Sequence, residues 1–359
     1  MRTKKPWLKH YPDGTPKVLE FDPRRTLVTL LDESEAKYSS HLAFTNFDVS
    51  IDYTKIAEDS RSFAAYLQNV LGLKKGDRIA MMMPNLLQYP IAIFGALRAG
   101  LIVVNVNPLY TPRELKHQLQ DSGAKAIIIF ENSAHVLSAI NDDVQIEHVI
   151  ITKIGDYLGL KGYLMNFILK YIKRMVPSHK LKNTIPFKKT LERPVADFNE
   201  VIISVDDLAF LQYTGATTGL SKGSMLSHGN VAANIEQLKS MLNDVVEEGT
   251  EIWINALPMY HIYSLVVLVF SGYDAGGLNV LVTNPRDTKG FVNELKKWPF
   301  TFFNGVNTLY ESLLNHPDIV NVDFSNMKLS GTGGSACRQS TAERWQELTG
   351  KVLLEGYGL

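Results

Sequence analysis

The sequence predicts an α/β protein of layered, largely parallel sheets, and three observations carry that expectation. From about residue 78 short apolar runs alternate with helical patterns, the β-α-β-α-β rhythm that parallel strands require of their crossovers. Hydrophobic residues make up 45% of the 359 and charged residues 21%, enough apolar mass to fill a large core around such sheets. No stretch reaches the ~18 to 20 uninterrupted apolar residues of a spanning helix, so the runs read as strands and core helices.

In chain order, RIAMMMP (78–84) reads as a buried strand, NLLQYPIAIFGALRAG (85–100) as a helix ending on a glycine, and LIVVNVNP (101–108) as the next strand. TPRELKHQLQDSG follows as a helix with Thr111 at its N-cap, Pro112 in its first turn and Gly123 near its end. AKAIIIF is another strand. After residue 200 the pattern resumes with DLAFLQYT, WINALP, LNVLVT, FTFFNGV, MKLSGTGG and KVLLEGYG, with helical segments between most of them. There is no internal repeat and no low-complexity tract. The expected division is a first α/β subdomain over 1–200 and a second over 201–359.

Residues 157–191 break the rhythm, with eight Lys or Arg and no Asp or Glu. At ~100° per residue, Asn166, Lys170, Lys173 and Arg174 share one narrow stripe, and Tyr163, Leu164, Met165, Phe167, Ile168, Leu169, Tyr171 and Ile172 occupy the rest. Two readings stand side by side. One is a helix docked on the core with solvated lysines. The other is an in-plane contact of 160–176 with a membrane, lysines facing anionic headgroups.

Charge excludes some classes. Lys plus Arg equals Asp plus Glu at 37 each, so no global field argues for nucleic acid. The basic start MRTKKPWLKHYPDGTP runs into Pro, Asp and Gly without an apolar core, which argues against a secretory signal. The one cysteine, Cys337, excludes an internal disulfide, fits a reducing, cytoplasmic setting and reads as a small buried hydrophobe.

LQYTGATTGLSKGSMLSHGN, residues 211–230, is the strongest chemical signal. A chain that wraps a polyanion needs inward main-chain N–H groups, small residues that permit the wrap, hydroxyl donors and a cation. Thr214, Thr217, Thr218, Ser221 and Lys222 supply the last two, and phosphate fits that description. Ser221 precedes the lysine where a Walker loop requires glycine, so this is a different loop. The segment SHGN then opens a helix whose first N–H groups are expected to assist. A plain strand-to-helix turn is the alternative, to which an internal lysine is poorly suited.

LPMYHIYSL (257–265) sets His261 among apolar and aromatic groups, where a satisfied core histidine is the commoner outcome. No HxxxH or CxxC pairing suggests a metal site. LSGTGGSA (329–336) and LLEGYGL (353–359) place glycines just past strands, at the edge where open α/β sheets hold ligands. Gly333 and Gly334 would admit a flat ligand, and Tyr357 offers a ring for stacking.

Together, YTGATTGLSKGSMLSH, LPMYHIYSL, FFNGVNTLY, GTGGSA and LLEGYGL resemble the adenylate-forming superfamily in order and spacing. MMMPNLLQYPIAIFGALRAGLIVVNVNPLYTPRELKHQLQDSGAK resembles its amino-terminal half, so the resemblance spans nearly the whole chain. Within that superfamily the chain is most similar to bacterial long-chain fatty acid CoA ligases, which share the basic apolar insertion and the FNGVNTLY phrase.

That resemblance implies ATP, accompanied by Mg²⁺, and CoA as co-substrates, and a fatty acid activated first to an acyl-adenylate. It implies that Thr214, Gly215, Thr217, Thr218, Gly219 and Lys222 hold the β- and γ-phosphates, with Thr214, Lys222 and His261 at the reacting groups. His261 would stand beside the carboxylate, Gly305, Val306 and Gly333 would line the acyl channel, and Gly334, Ser335, Glu355, Gly356 and Tyr357 would frame adenine and ribose. Two departures matter. Ala216 stands where the family has glycine, and at a positive φ its methyl group would cost about 1 kcal/mol. The chain also stops at Leu359, before the family's Mg-organising Glu, its ribose-binding Asp and its lid with a catalytic Lys. The expectation is therefore an amino-terminal fragment with impaired turnover, cytoplasmic or peripheral on the inner face of the cytoplasmic membrane, with a homodimer among its states. A lidless binding module, or a ligase for another carboxylic acid, stays open.

Overall fold

The computed structural model describes residues 5–214 and 220–358. In chain order its strands are β1 (Leu42–Asn46), β2 (Val49–Asp52), β3 (Arg78–Met82), β4 (Ile102–Asn105), β5 (Ala126–Phe130), β6 (His148–Thr152), β7 (Ile185–Pro186), β8 (Leu208–Tyr213), β9 (Gly223–Ser227), β10 (Ile252–Asn255), β11 (Leu278–Leu281), β12 (Phe302–Gly305), β13 (Leu329–Thr332) and β14 (Leu353–Glu355). They form two seven-stranded sheets. Sheet A runs β14-β13-β12-β10-β11-β1-β2 and sheet B runs β7-β6-β5-β3-β4-β8-β9. Every pair is parallel except the edge hairpins β1–β2 and β8–β9. The layered α/β class expected from the sequence is the class observed.

The sheets do not divide at residue 200. β1 and β2, from the first fifth of the chain, complete sheet A, while β8 and β9, at 208–227, complete sheet B. Periodicity marks a strand but carries no record of its neighbour, so the exchange of strands between halves lay beyond sequence reading.

Alternation along each strand feeds three apolar layers. Met81, Val103, Ile128 and Phe210 of sheet B and Phe44 and Leu281 of sheet A share the central one. Ala80, Met82, Val104, Ile127 and Ile129 line the outer face of sheet B, and Ile254, Val280 and Phe303 that of sheet A. The helix Gln88–Arg98, QYPIAIFGALR, lies in the central layer with all its residues buried, as a helix apolar on every side must. Gly95 lets it touch the helix Tyr53–Asn69, for a Cβ there would stand 2.6 Å from Ser60 O. Arg98, 2% exposed, closes the helix on Asp32 at 2.6 Å and Glu35 at 2.5 Å.

The helix Pro112–Ser122 has the expected ends, with Thr111 and Glu114 in a reciprocal capping box and Gly123 left-handed at φ 60°. The insertion differs from expectation. Helix Gly159–Phe167 passes into a π-helical turn, Ile168–Ile172, and the edge carrying Asn166 and Lys170 faces the protein. Asn166 accepts from Gly155 N at 2.9 Å, and Lys170 donates to Glu131 at 2.7 Å. Buried Glu131, past the end of β5, supplies a partner that the local pattern did not reveal. Among the described residues no helix is long and apolar enough to cross a membrane.

Candidate active site

The carboxyl ends of parallel strands in both sheets meet along one seam, and buried amides fasten it. Asn85, just past β3 of sheet B and 3% exposed, donates to Asn255 O at 3.0 Å and Leu257 O at 2.9 Å, and accepts from Met259 N at 2.9 Å. These partners lie at and beyond the end of β10 in sheet A. Thr283, past β11, donates to Asn85 O at 2.7 Å. Gln212 of β8 makes a second tie, donating to Tyr260 O at 2.8 Å and accepting from Asn105 at 3.1 Å. Asn105 in turn accepts from Tyr89 at 3.0 Å. Each buried amide is spent on a carbonyl or an amide of the other element, so the two strand ends are held in fixed relation.

On the sheet B side, β8 leads to Thr214 and β9 begins after Lys222. Their backbones pair across the neck of the loop, Thr214 N donating to Lys222 O at 3.3 Å. Both residues are exposed. His117 supports the far arm, its ring Nε2–H donating to Ser221 O at 2.9 Å. Gly215, Ala216, Thr217, Thr218 and Gly219 lie outside the described residues. The helix after the loop does not assist in the expected way, because the five-residue strand β9 intervenes. Its first N–H groups are also committed: His228 N donates to Asp207 O, Gly229 N to Val205 O at 2.8 Å, and Asn230 N to Ser227 Oγ at 3.1 Å.

On the sheet A side, His261 follows the turn that Asn85 and Gln212 hold. It is not a core histidine. Its ring is open to solvent and lies 4.6 Å from that of Tyr260, and crowding by neighbours lowers its pKa through desolvation. The buried histidine is His228, 1% exposed, with Nδ1 unpartnered and its pKa pushed down to about 4 by burial. Tyr263 donates to Asn304 Oδ1 at 3.0 Å, and its ring stands over Gly333, where a Cβ would meet it at 3.3 Å and Gly356 O at 3.1 Å. Gly356 N donates to Thr332 O at 2.7 Å, and Glu355 accepts from Cys337 N at 3.3 Å. Gly333, Glu355 and Gly356 are thus gathered at the ends of β13 and β14. Gly334 is exposed at φ 77°, and Ser335 and Tyr357 are exposed, Tyr357 at 89%. Cys337 is half-buried rather than buried, since the edge of sheet A ends beside it, and its thiol is pushed up by desolvation.

Apolar packing lies beside this end. Gly305 is buried against Tyr310 and Leu309, while Val306 and Tyr263 pack on a separate cluster of Trp253, Leu257, Leu268 and Phe302. Trp253 stacks on Phe302 at 4.1 Å and 9°. On the other side of Trp253 a cavity of about 100 Å³ is lined by Ile235, Leu238, Leu242 and Val246 together with the charged Lys239, Glu248 and Asp274. Among the described residues no group of three or more His, Cys, Asp or Glu is disposed to hold a metal. Sequence reasoning missed Asn85, Gln212 and Tyr263. The first two could have been flagged as polar residues set in or directly after apolar strand runs.

Residues 31–359 match the sequence profile of the family described as AMP-binding enzyme. The chain is 51% identical over 358 residues to a long-chain-fatty-acid–CoA ligase of Escherichia coli O157:H7, covering 99% of this chain and 64% of that one. It is 32% identical over 363 residues to the ligase of the same name from Bacillus subtilis (strain 168), covering all of this chain and 64% of that one. In fold it is similar to the anthranilate CoA ligase AuaEII in complex with anthranoyl-AMP, with TM-score 0.81 at 16% identity over 94% of this chain and 61% of that one. A long-chain-fatty-acid-CoA ligase from Archaeoglobus fulgidus gives TM-score 0.77 at 21% identity over 97% of this chain and 66% of that one. The chain spans just under two thirds of the length of the curated relatives it matches.

Proposed function

We propose, from the premise that this chain belongs to the AMP-binding enzyme family, that it carries the nucleotide and acyl sites of an AMP-forming long-chain fatty acid CoA ligase. A carboxylate oxygen attacks the α-phosphorus of ATP, the bond to pyrophosphate breaks, and an acyl-adenylate forms. The thiol of CoA then attacks the acyl carbonyl, AMP leaves, and the thiol proton passes to solvent.

Attack of one anion on another needs charge held in place before the reaction. Thr214, Gly215, Thr217, Thr218, Gly219 and Lys222 take the β- and γ-phosphates, with Lys222 as their cation. His261, neutral at physiological pH because desolvation lowers its pKa, stands beside the carboxylate without adding a competing charge. Gly334, Ser335, Glu355, Gly356 and Tyr357 frame the nucleoside. Gly305, Val306 and Gly333 open the acyl path toward the Trp253 cluster, whose apolar lining favours an alkyl chain over an amino acid. Magnesium enters as the counter-ion of ATP, and no step is assigned to it.

The observation that carries this reading is the seam, where Gln212, two residues before Thr214, and Asn85 tie strand ends of sheet B to the turn that precedes His261. Palmitate-dependent ATP–pyrophosphate exchange tests it, expected to exceed the rate with benzoate or leucine. Exchange driven equally by all three acids would sink the acyl assignment. Two finer readings belong to the same proposal: contact with a membrane through 160–176, and pairing of two copies, which light scattering on the eluted protein decides.

A further inference from the structure

Both arms of the glycine–threonine loop are held by one edge of one helix. His117 and Asp121 stand four residues apart on the helix Pro112–Ser122, hence one turn apart on the same edge. His117 donates through Nε2–H to Ser221 O at 2.9 Å, on the arm that carries Lys222. Asp121 accepts from the Tyr213 hydroxyl at 2.6 Å, on the arm that ends in Thr214. The Tyr213 ring also reaches across to the other arm, for a Cβ on Gly223 would stand 2.9 Å from its Cε2. Burial, with the Asp121 carboxylate beside it, pushes the Tyr213 phenol up, so the hydroxyl remains a donor.

The helix is itself fixed. Its Thr111–Glu114 capping box closes the first turn, and Leu115 and Leu119 are buried with Tyr213 on the outer face of sheet B. Fully buried Gln118 donates to Asn105 O at 2.8 Å. Asn105 ends β4 and donates to Gln212 of β8, so the helix and the strand that enters the loop share one anchor. Side chains locked on a rigid element hold a neighbouring segment in one geometry.

The bond to Ser221 has a directional consequence. In a trans peptide the N–H points opposite to the C=O, so drawing Ser221 O toward the helix turns Lys222 N–H away from it. Lys222 O is meanwhile engaged by Thr214 N at 3.3 Å. The peptide planes on both sides of Lys222 are therefore fixed, one by His117 and one by the opposite arm. We propose that His117 and Asp121 are positioning residues for nucleotide binding, His117 orienting the backbone that carries Lys222 and Asp121, through Tyr213, holding the two arms at their spacing. The role in ATP affinity rests on the ligase reading, whereas the hold on the arms does not.

Two readouts test it: hydrogen exchange at the Thr214 amide without nucleotide, and the KM values for ATP and palmitate in pyrophosphate exchange, with ATP affinity from calorimetry. H117A and D121A are expected to speed exchange at Thr214 about fivefold or more and to weaken ATP by a similar factor, as loss of one hydrogen bond implies, with KM for palmitate unchanged. H117Q keeps a donor and D121N an acceptor, and both are expected to return the two readouts to within about twofold of wild type. K116A, which breaks the ion pair with Asp143 on the same helix, is expected to match wild type. Unchanged exchange in β5 marks an intact fold in each variant. Thr214 exchange unmoved by H117A and D121A, H117Q as damaging as H117A, K116A as damaging as either, or equal losses toward ATP and palmitate would each overturn the inference. Faster exchange at Thr214 in a protein that takes up no ATP would instead defeat the ligase reading alone.

Discussion

Gln212 Nε2 donates to the carbonyl oxygen of Tyr260 at 2.8 Å, so the strand that leads into the glycine–threonine loop is tied to the residue before His261. Together with Asn85, this side chain ties two parts of the candidate site that come from different sheets. Q212A leaves both the Tyr260 carbonyl and Asn105 Nδ2 without this partner in a buried setting. Urea denaturation is expected to show a loss of about 1–3 kcal/mol. Palmitate-dependent exchange is expected to fall more steeply than ATP affinity, since the loop survives and its alignment does not.

His228 makes stability depend on pH. Its folded pKa is about 4 against an ordinary 6.5, because burial disfavours the charged ring. Above 6.5 both states are neutral and the contribution is fully present. As pH falls from 6.5 toward 4 the unfolded chain takes up the proton first, so stability declines across that window by on the order of 3 kcal/mol. Denaturation midpoints measured from pH 7.5 to 4 are expected to fall, and H228Q is expected to flatten that part of the curve.

Buried Arg98 neutralises two carboxylates, the half-exposed Asp32 and the buried Glu35, and burial still pushes the Glu35 carboxyl up. Removing the guanidinium leaves Glu35 buried with only Arg61 at 3.0 Å as a cation. R98A is expected to cost on the order of 3–5 kcal/mol in equilibrium unfolding, and R98M/E35Q is expected to recover a good part of it.

Much of this molecule was legible in its sequence. The helix Pro112–Ser122 announced itself through Thr111, Pro112 and Gly123, because capping chemistry is local. The ten apolar runs quoted above coincide with nine strands and the buried helix of the fold, since alternation and run length report burial directly. What could not be read was pairing. That β1 joins β11 in sheet A and β8 joins β4 in sheet B depends on partners far along the chain. The inward turn of Lys170 had the same cause, as Glu131 lies 39 residues away. At the candidate site the motif residues stood out by type, whereas Asn85 and Gln212 did not, because a buried amide acquires its meaning only from the carbonyls it meets.

Lys222 carries the central claim, as the exposed cation whose carbonyl pairs with Thr214 N at the neck of the glycine–threonine loop. Titration calorimetry of ATP into the protein as it stands, and into K222A and K222R, tests that claim most directly. The account predicts measurable binding, weakened about 10- to 100-fold in K222A by loss of a charge-assisted bond and largely kept in K222R. No heat with ATP, or an affinity indifferent to K222A, would contradict it.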